Sequence, residues 1–156
     1  MASNSPLVDG IYELYDDNNW PSDSMIWPMQ RATLSQQYSM NVNNKHKGID
    51  LAEKIGQPIR AVLDGIVVFS GVKYSGYGNM VLIEHNNSLM TVYAHMDQLS
   101  VSKGDRVKQG DTIGTLGATG VVSGPHLHFE VVENGYQVNP LEYLDLSKLQ
   151  NIESSE

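Results

Sequence analysis

Gly124-Pro125-His126-Leu127-His128-Phe129-Glu130-Val131 is the stretch around which the chain reads. From Leu127 to Val132 it is rich in aromatic and β-branched residues, which predicts a strand. Side chains two apart on a strand leave the same face. His126 and His128 therefore point one way, and Leu127 and Phe129 the other. Two imidazoles on one face can share a metal ion, or divide the work of ligand and proton donor. Two further polar clusters lie upstream, His46-Lys47-Gly48-Ile49-Asp50 and Tyr93-Ala94-His95. The three are expected to meet around one metal.

The rest of the chain fits a β domain. Short apolar runs separated by Gly, Asn and Asp turns predict strands at Leu34 to Met40, Pro58 to Val62, Ile66 to Ser70, Met80 to His85, Leu89 to His95 and Thr112 to Leu116. Asn86-Asn87-Ser88 reads as a hairpin turn. No long segment has a 3.6-residue period, so the fold class is mainly antiparallel β. The expected domain spans residues 25–146. Residues 1–24, rich in Asn, Asp, Ser and Pro, read as an arm or linker, with Ile11 to Tyr15 as a docking helical turn. Asn139 to Leu144 reads as a closing turn of helix, and 147–156 as a C-terminal tail frayed from Asn151 onward.

Bulk properties narrow the function. The 156 residues suffice for one domain with a real core. The net charge of −8 argues against a nucleic-acid partner. With no cysteine there is no disulfide framework and no thiolate metal site. No run of 18 apolar residues marks a transmembrane helix. The N-terminus lacks the basic and apolar regions of a signal peptide. The chain is thus either cytosolic or a fragment of a longer precursor.

Without thiolates, zinc is held by imidazole and carboxylate. A straight strand would set His46 and Asp50 ~13 Å apart, so the chain must bend between them, at Gly48. His46, Asp50 and one of the paired histidines would make three protein ligands and leave the fourth position of a catalytic zinc for water. Most histidines have an ordinary structural role, and His85, with no acidic partner at ligand spacing, reads as one of those. Glu130 shares the face of His128, either as an acceptor behind it or as a surface carboxylate.

Together, His46-Lys-Gly-Ile-Asp50, Tyr93-Ala-His95 and Gly124-Pro-His-Leu-His-Phe-Glu130 resemble, in order and spacing, the signature of the lysostaphin-type (M23 or LytM-domain) zinc metallopeptidases of peptidoglycan. The likeness runs from about Trp27 to Leu144. It includes Ala61-Val-Leu-Asp-Gly-Ile-Val, Gly76-Tyr-Gly-Asn79 and Val107-Lys-Gln-Gly-Asp-Thr-Ile-Gly114. The resemblance implies a barrel-sandwich hybrid (duplicated hybrid motif) with short peripheral helices and a groove floored by Zn2+. It implies His46, Asp50 and His128 as zinc ligands, and His95 and His126 as the pair that orients water and stabilises the tetrahedral intermediate. The implied partners are peptidoglycan peptides, either stem-peptide cross-links or glycine bridges. The implied location is the cell envelope, periplasmic or extracellular, the chain being a fragment of an exported precursor with a regulatory or wall-binding module outside it. Many relatives carry Phe/Tyr-Gly-x-Arg before the first histidine; here the place reads Gln37-Tyr38-Ser39-Met40, which changes one groove wall. Some family members have lost ligands and only activate cell-wall amidases, whereas this chain keeps all five positions. Biotinyl and lipoyl carriers and phosphotransfer domains share the hybrid fold. The chain has no modifiable lysine at a hairpin tip, and phosphotransfer has no use for Asp50.

Overall fold

The structure is a computed structural model that describes residues 6–20 and 24–152. Its strands are β1 (Tyr12–Tyr15), β2 (Arg31–Gln36), β3 (Ile49–Ala52), β4 (Pro58–Arg60), β5 (Gly65–Gly71), β6 (Asn79–Asn86), β7 (Leu89–Leu99), β8 (Arg106–Val107), β9 (Thr112–Leu116), β10 (His126–Glu133), β11 (Tyr136–Val138) and β12 (Leu149–Asn151). All pairings are antiparallel, in the order β12-β1-β2-β3-β10-β7-β6-β5-β8, with β11 on β10, and β9 joining β4 to β7. The expected antiparallel fold is observed. Among the described residues helix is confined to two 3-10 turns, Pro140–Glu142 and Leu146–Lys148, the first capped by the Asn139 side chain.

Alternation in β10 builds the core. Leu127, Phe129 and Val131 are fully buried, packed with Ile49 and Leu51 of β3 and Tyr93 of β7. The opposite face of β10 carries His126, His128 and Glu130. Asn86 turns the β6–β7 hairpin, its side chain accepting from the backbone N–H and hydroxyl of Ser88.

Three local expectations are corrected. Ile11 to Tyr15 is no helical turn: Tyr12–Tyr15 is a strand between β2 and β12, with Tyr12 and Leu14 in the core. Alternation within four residues is too short a signal to separate the two. The first strand of the domain body ends at Gln36 instead of reaching Met40, because the chain leaves the sheet to form the Ser39–His46 bridge. Asn151 pairs with Tyr12 rather than fraying; of the expected tail, 153–156 lie outside the described residues, as do 1–5 and 21–23 of the arm.

The segment after β1 is fastened by charge. Asp16 is fully buried, and its carboxylate accepts from Arg60 Nη2 (2.6 Å) and from Trp20 Nε1 (2.9 Å). Arg60 also donates through Nε to the Trp27 carbonyl and stacks over the Trp20 ring. Arg60→Ala would strand the Asp16 charge in the interior, and such losses cost about 3–5 kcal/mol. The expected result is a lowered denaturation midpoint by chemical unfolding, with Asp16→Asn/Arg60→Ala less destabilised than Arg60→Ala.

Candidate metal centre

Register brings the polar residues together. β10 lies between β3 and β7, with His128 directly opposite Asp50 on one side and Ala94 on the other. Opposed residues of an antiparallel pair share a face, so Asp50 and His128 meet there. His46 precedes β3 in a loop closed by two backbone hydrogen bonds to Ser39. Its Nε2 lies 3.1 Å from Asp50 Oδ1, and His128 Nδ1 lies 2.9 Å from the same oxygen. The chain between His46 and Asp50 does turn, but Gly48 is needed for a different reason from the expected one. A Cβ there would sit 2.2 Å from the Phe129 carbonyl oxygen, so only glycine lets this segment approach β10.

His95 reaches the site by a bulge. Strict alternation from Tyr93, which is buried in the core, would send His95 there too. Between the pairs Asn79–Met96 and Val81–Tyr93, β7 carries one residue more than β6. His95 has φ +65°, and Met96 takes the core position instead. A bulge re-aims a side chain in this way, at a cost of roughly 1–3 kcal/mol for the left-handed residue. His95 Nδ1–H donates to the Thr119 carbonyl (2.8 Å) and its ring meets that of His126, 4.8 Å between centroids. His126 Nδ1–H donates to the Gly124 carbonyl (3.1 Å), and its Nε2 stands 3.6 Å from Asp50 Oδ2.

These side chains floor a groove of about 630 Å³ whose walls include Gln36, Lys45, Lys47, Tyr77 and Val121 to Ser123. The sequence model of peptidase family M23 matches residues 44–140, from just before His46 to just after β11. The chain belongs to peptidase family M23. Among M23-type relatives, it is 40% identical over 124 residues to the murein hydrolase activator NlpD of Escherichia coli K12, covering 80% of this chain and 32% of that protein. It is 48% identical over 96 residues to the DD-carboxypeptidase/endopeptidase Mpg of Neisseria meningitidis serogroup B, covering 62% and 22%. Lysostaphin from Staphylococcus simulans superposes with a TM-score of 0.65 at 31% identity, covering 70% of this chain and 48% of that one. The chain thus spans a third or less of the curated relatives quoted.

The donor set of this M23 domain fits a metal. The ligand atoms of His46, Asp50 and His128 all lie within 4.8 Å of one another. Tetrahedral zinc with bonds of ~2.0–2.2 Å holds its donors about 3.4 Å apart. Hydrogen bonding behind the ligands sets their tautomers. His46 Nδ1 faces the Gln37 carbonyl (3.1 Å), which can only accept, so in the neutral ring Nε2 carries the lone pair. His128 Nε2 faces Glu130 Oε2 (2.8 Å), which leaves the lone pair on Nδ1. Two imidazole lone pairs and a carboxylate then converge, an arrangement that only a cation reconciles. In the metal-free protein that cation is the proton. Burial opposes the His128 charge, but hydrogen bonds to Asp50 and Glu130 outweigh it and push its pKa up to about 9. Asp50, despite the opposing effect of burial, is held well below the usual carboxylate range by hydrogen bonds from His128 and His46. Burial lowers the pKa of His95, which keeps that ring a neutral base.

Glu130 is the buried acceptor behind His128, not a surface carboxylate; it is 2% exposed and also accepts from the Tyr77 hydroxyl (2.6 Å). Tyr77 is a site residue that reasoning from the residues alone passed over, its only signal being an aromatic ring between two loop glycines. His85 has the structural role expected of it, donating through Nδ1 to the Asp64 carbonyl and bonding through Nε2 to Thr91.

Proposed function

We propose that the chain is a zinc-dependent endopeptidase that hydrolyses peptide cross-links or stem peptides of bacterial peptidoglycan. The observation that carries this is the convergence of three metal-donor atoms beside a second histidine pair on the floor of an open groove. His46, Asp50 and His128 would hold the ion, with Gln37 and Glu130 fixing the two rings. When bound, zinc lowers the pKa of a water and polarises the scissile carbonyl. The remaining work falls to His95 and His126. Each gives its Nδ1–H to a backbone carbonyl, so each neutral ring offers an Nε2 lone pair. One takes the proton of the attacking water; the protonated ring then donates to the oxyanion or to the departing amine.

We place the catalytic domain at 25–146, with β1 and β12 as edge strands added to its sheet. The names of the relatives, murein hydrolase activator and DD-carboxypeptidase/endopeptidase, support a location in the cell envelope and further modules outside this chain. The likeness to NlpD supports a second reading, a catalytically silent regulator that activates a cell-wall amidase. A mass-spectrometric digest of purified muropeptide dimers separates the two: the peptidase yields monomers unaided, and the regulator yields none without an amidase.

His95→Ala is expected to keep zinc at one equivalent and retain the fold, while turnover falls by roughly 10²-fold or more, the scale of a lost acid–base or oxyanion contact. Metal analysis beside single-turnover kinetics checks it; loss of zinc would place His95 among the ligands.

A further inference from the structure

The charges that line the groove are unevenly spent. Apart from the histidines, four charged side chains among the described residues border it: Lys45, Lys47, Asp50 and Glu130. Both carboxylates are engaged by the walls, Asp50 by His46 and His128, and Glu130 by His128 and Tyr77. Both ammonium groups are exposed, and among the described residues neither has a hydrogen-bond or ion-pair partner. Three cations elsewhere are committed, Arg60 to Asp16, Lys148 to Asp17, and Lys73 to the rings of Phe69 and Tyr74, but none of these borders the groove. A chain of net charge −8 therefore leaves two free positive groups beside its candidate centre.

Their placement is fixed. Lys45 and Lys47 flank His46, their Cα atoms ~3.8 Å from its own. The loop is closed by the paired backbone bonds of Ser39 and His46, and by Asn41 and Ser39 side chains that accept from backbone N–H groups within it. The backbone under both lysines is thus anchored, while their stems are free to sweep the groove.

We propose that Lys45 and Lys47 form a carboxylate-binding subsite, so that the groove prefers a peptide carrying a free carboxylate close to the scissile bond over an uncharged bridge such as oligoglycine. Two ammonium groups closing on one carboxylate make charge-assisted hydrogen bonds, the stronger kind. Exposure keeps the contribution of each modest and sensitive to salt. Cleavage of such a peptide rests on the peptidase activity proposed above; its capture does not.

The test uses one cross-linked peptide dimer in two forms, with its carboxylates free or converted to carboxamides. Binding is measured by calorimetry on zinc-loaded His95→Ala protein, and cleavage as kcat/KM on the parent. The acid form is expected to bind and react about tenfold better, less so as salt rises. In Lys45→Gln/Lys47→Gln, made in both backgrounds, that ratio falls towards one with zinc content unchanged. A ratio of one in the parent, or a ratio that survives the double substitution, overturns the subsite. Preferential binding of the acid without cleavage of either form would sink the peptidase and leave the subsite standing.

Discussion

Hydrolysis is expected to vanish when the protein is stripped with a strong chelator, and to return on titration with one equivalent of zinc. Three donor atoms converge within 4.8 Å, two of them lone pairs directed at Asp50 by the hydrogen bonds behind them. Without a cation the described groove residues offer no Lewis acid to polarise the scissile carbonyl or to acidify the water, and a histidine general base alone supplies only a small part of the acceleration. The loss should therefore reach the background of the assay. A second readout is stability. An ion bound by the folded state and not by the unfolded chain stabilises the fold by about 2.7 kcal/mol at a hundredfold excess over Kd, and so makes Tm rise with zinc concentration. Full activity in rigorously metal-free protein, or a Tm indifferent to zinc, would defeat the mechanism.

The second large effect divides the two histidines of β10. Both lie on the groove face, but their surroundings differ. His128 Nδ1 stands 2.9 Å from Asp50 Oδ1, and its far nitrogen is held by Glu130. His126 Nε2 stands farther off, 3.6 Å from Asp50 Oδ2, with its ring against His95. Four protein ligands would close the site in the manner of a structural zinc, so one histidine must stay free for chemistry. His128→Ala is expected to lose zinc and, because metal binding is linked to folding, the zinc-dependent part of its Tm. His126→Ala is expected to hold zinc nearly as well as the parent while turnover drops by roughly 10²-fold or more. Zinc stoichiometry in the two variants decides it: equal losses would refute the division, and the reverse pattern would exchange the roles.

Much of this was legible in the chain because it depends on local geometry. A period of two sets the faces of β10, so the pairing of His126 with His128, and of Leu127 with Phe129, needs no tertiary information. The hairpin at Asn86 to Ser88 is equally local, since its side-chain hydrogen bonds span two residues. The order and spacing of the three histidine motifs carried the family as well. What the residues alone left open was non-local. Asp50 faces His128 because β3 pairs with β10 in one register although the two residues lie 78 positions apart in the chain, and Ile-Asp-Leu-Ala is too short to announce itself as a strand. His95 points into the groove only because β7 bulges against β6, and by parity alone it belongs in the core. Glu130 became an acceptor for His128 when Tyr77 and the sheet enclosed it. The small-residue requirement at Gly48 came from the approach of another strand's carbonyl, not from the bend in its own segment. Alternation along one strand is fixed by the chirality and pleat of the backbone, whereas register, bulges and close approaches are settled by which strands pair, and only the folded sheet decides that.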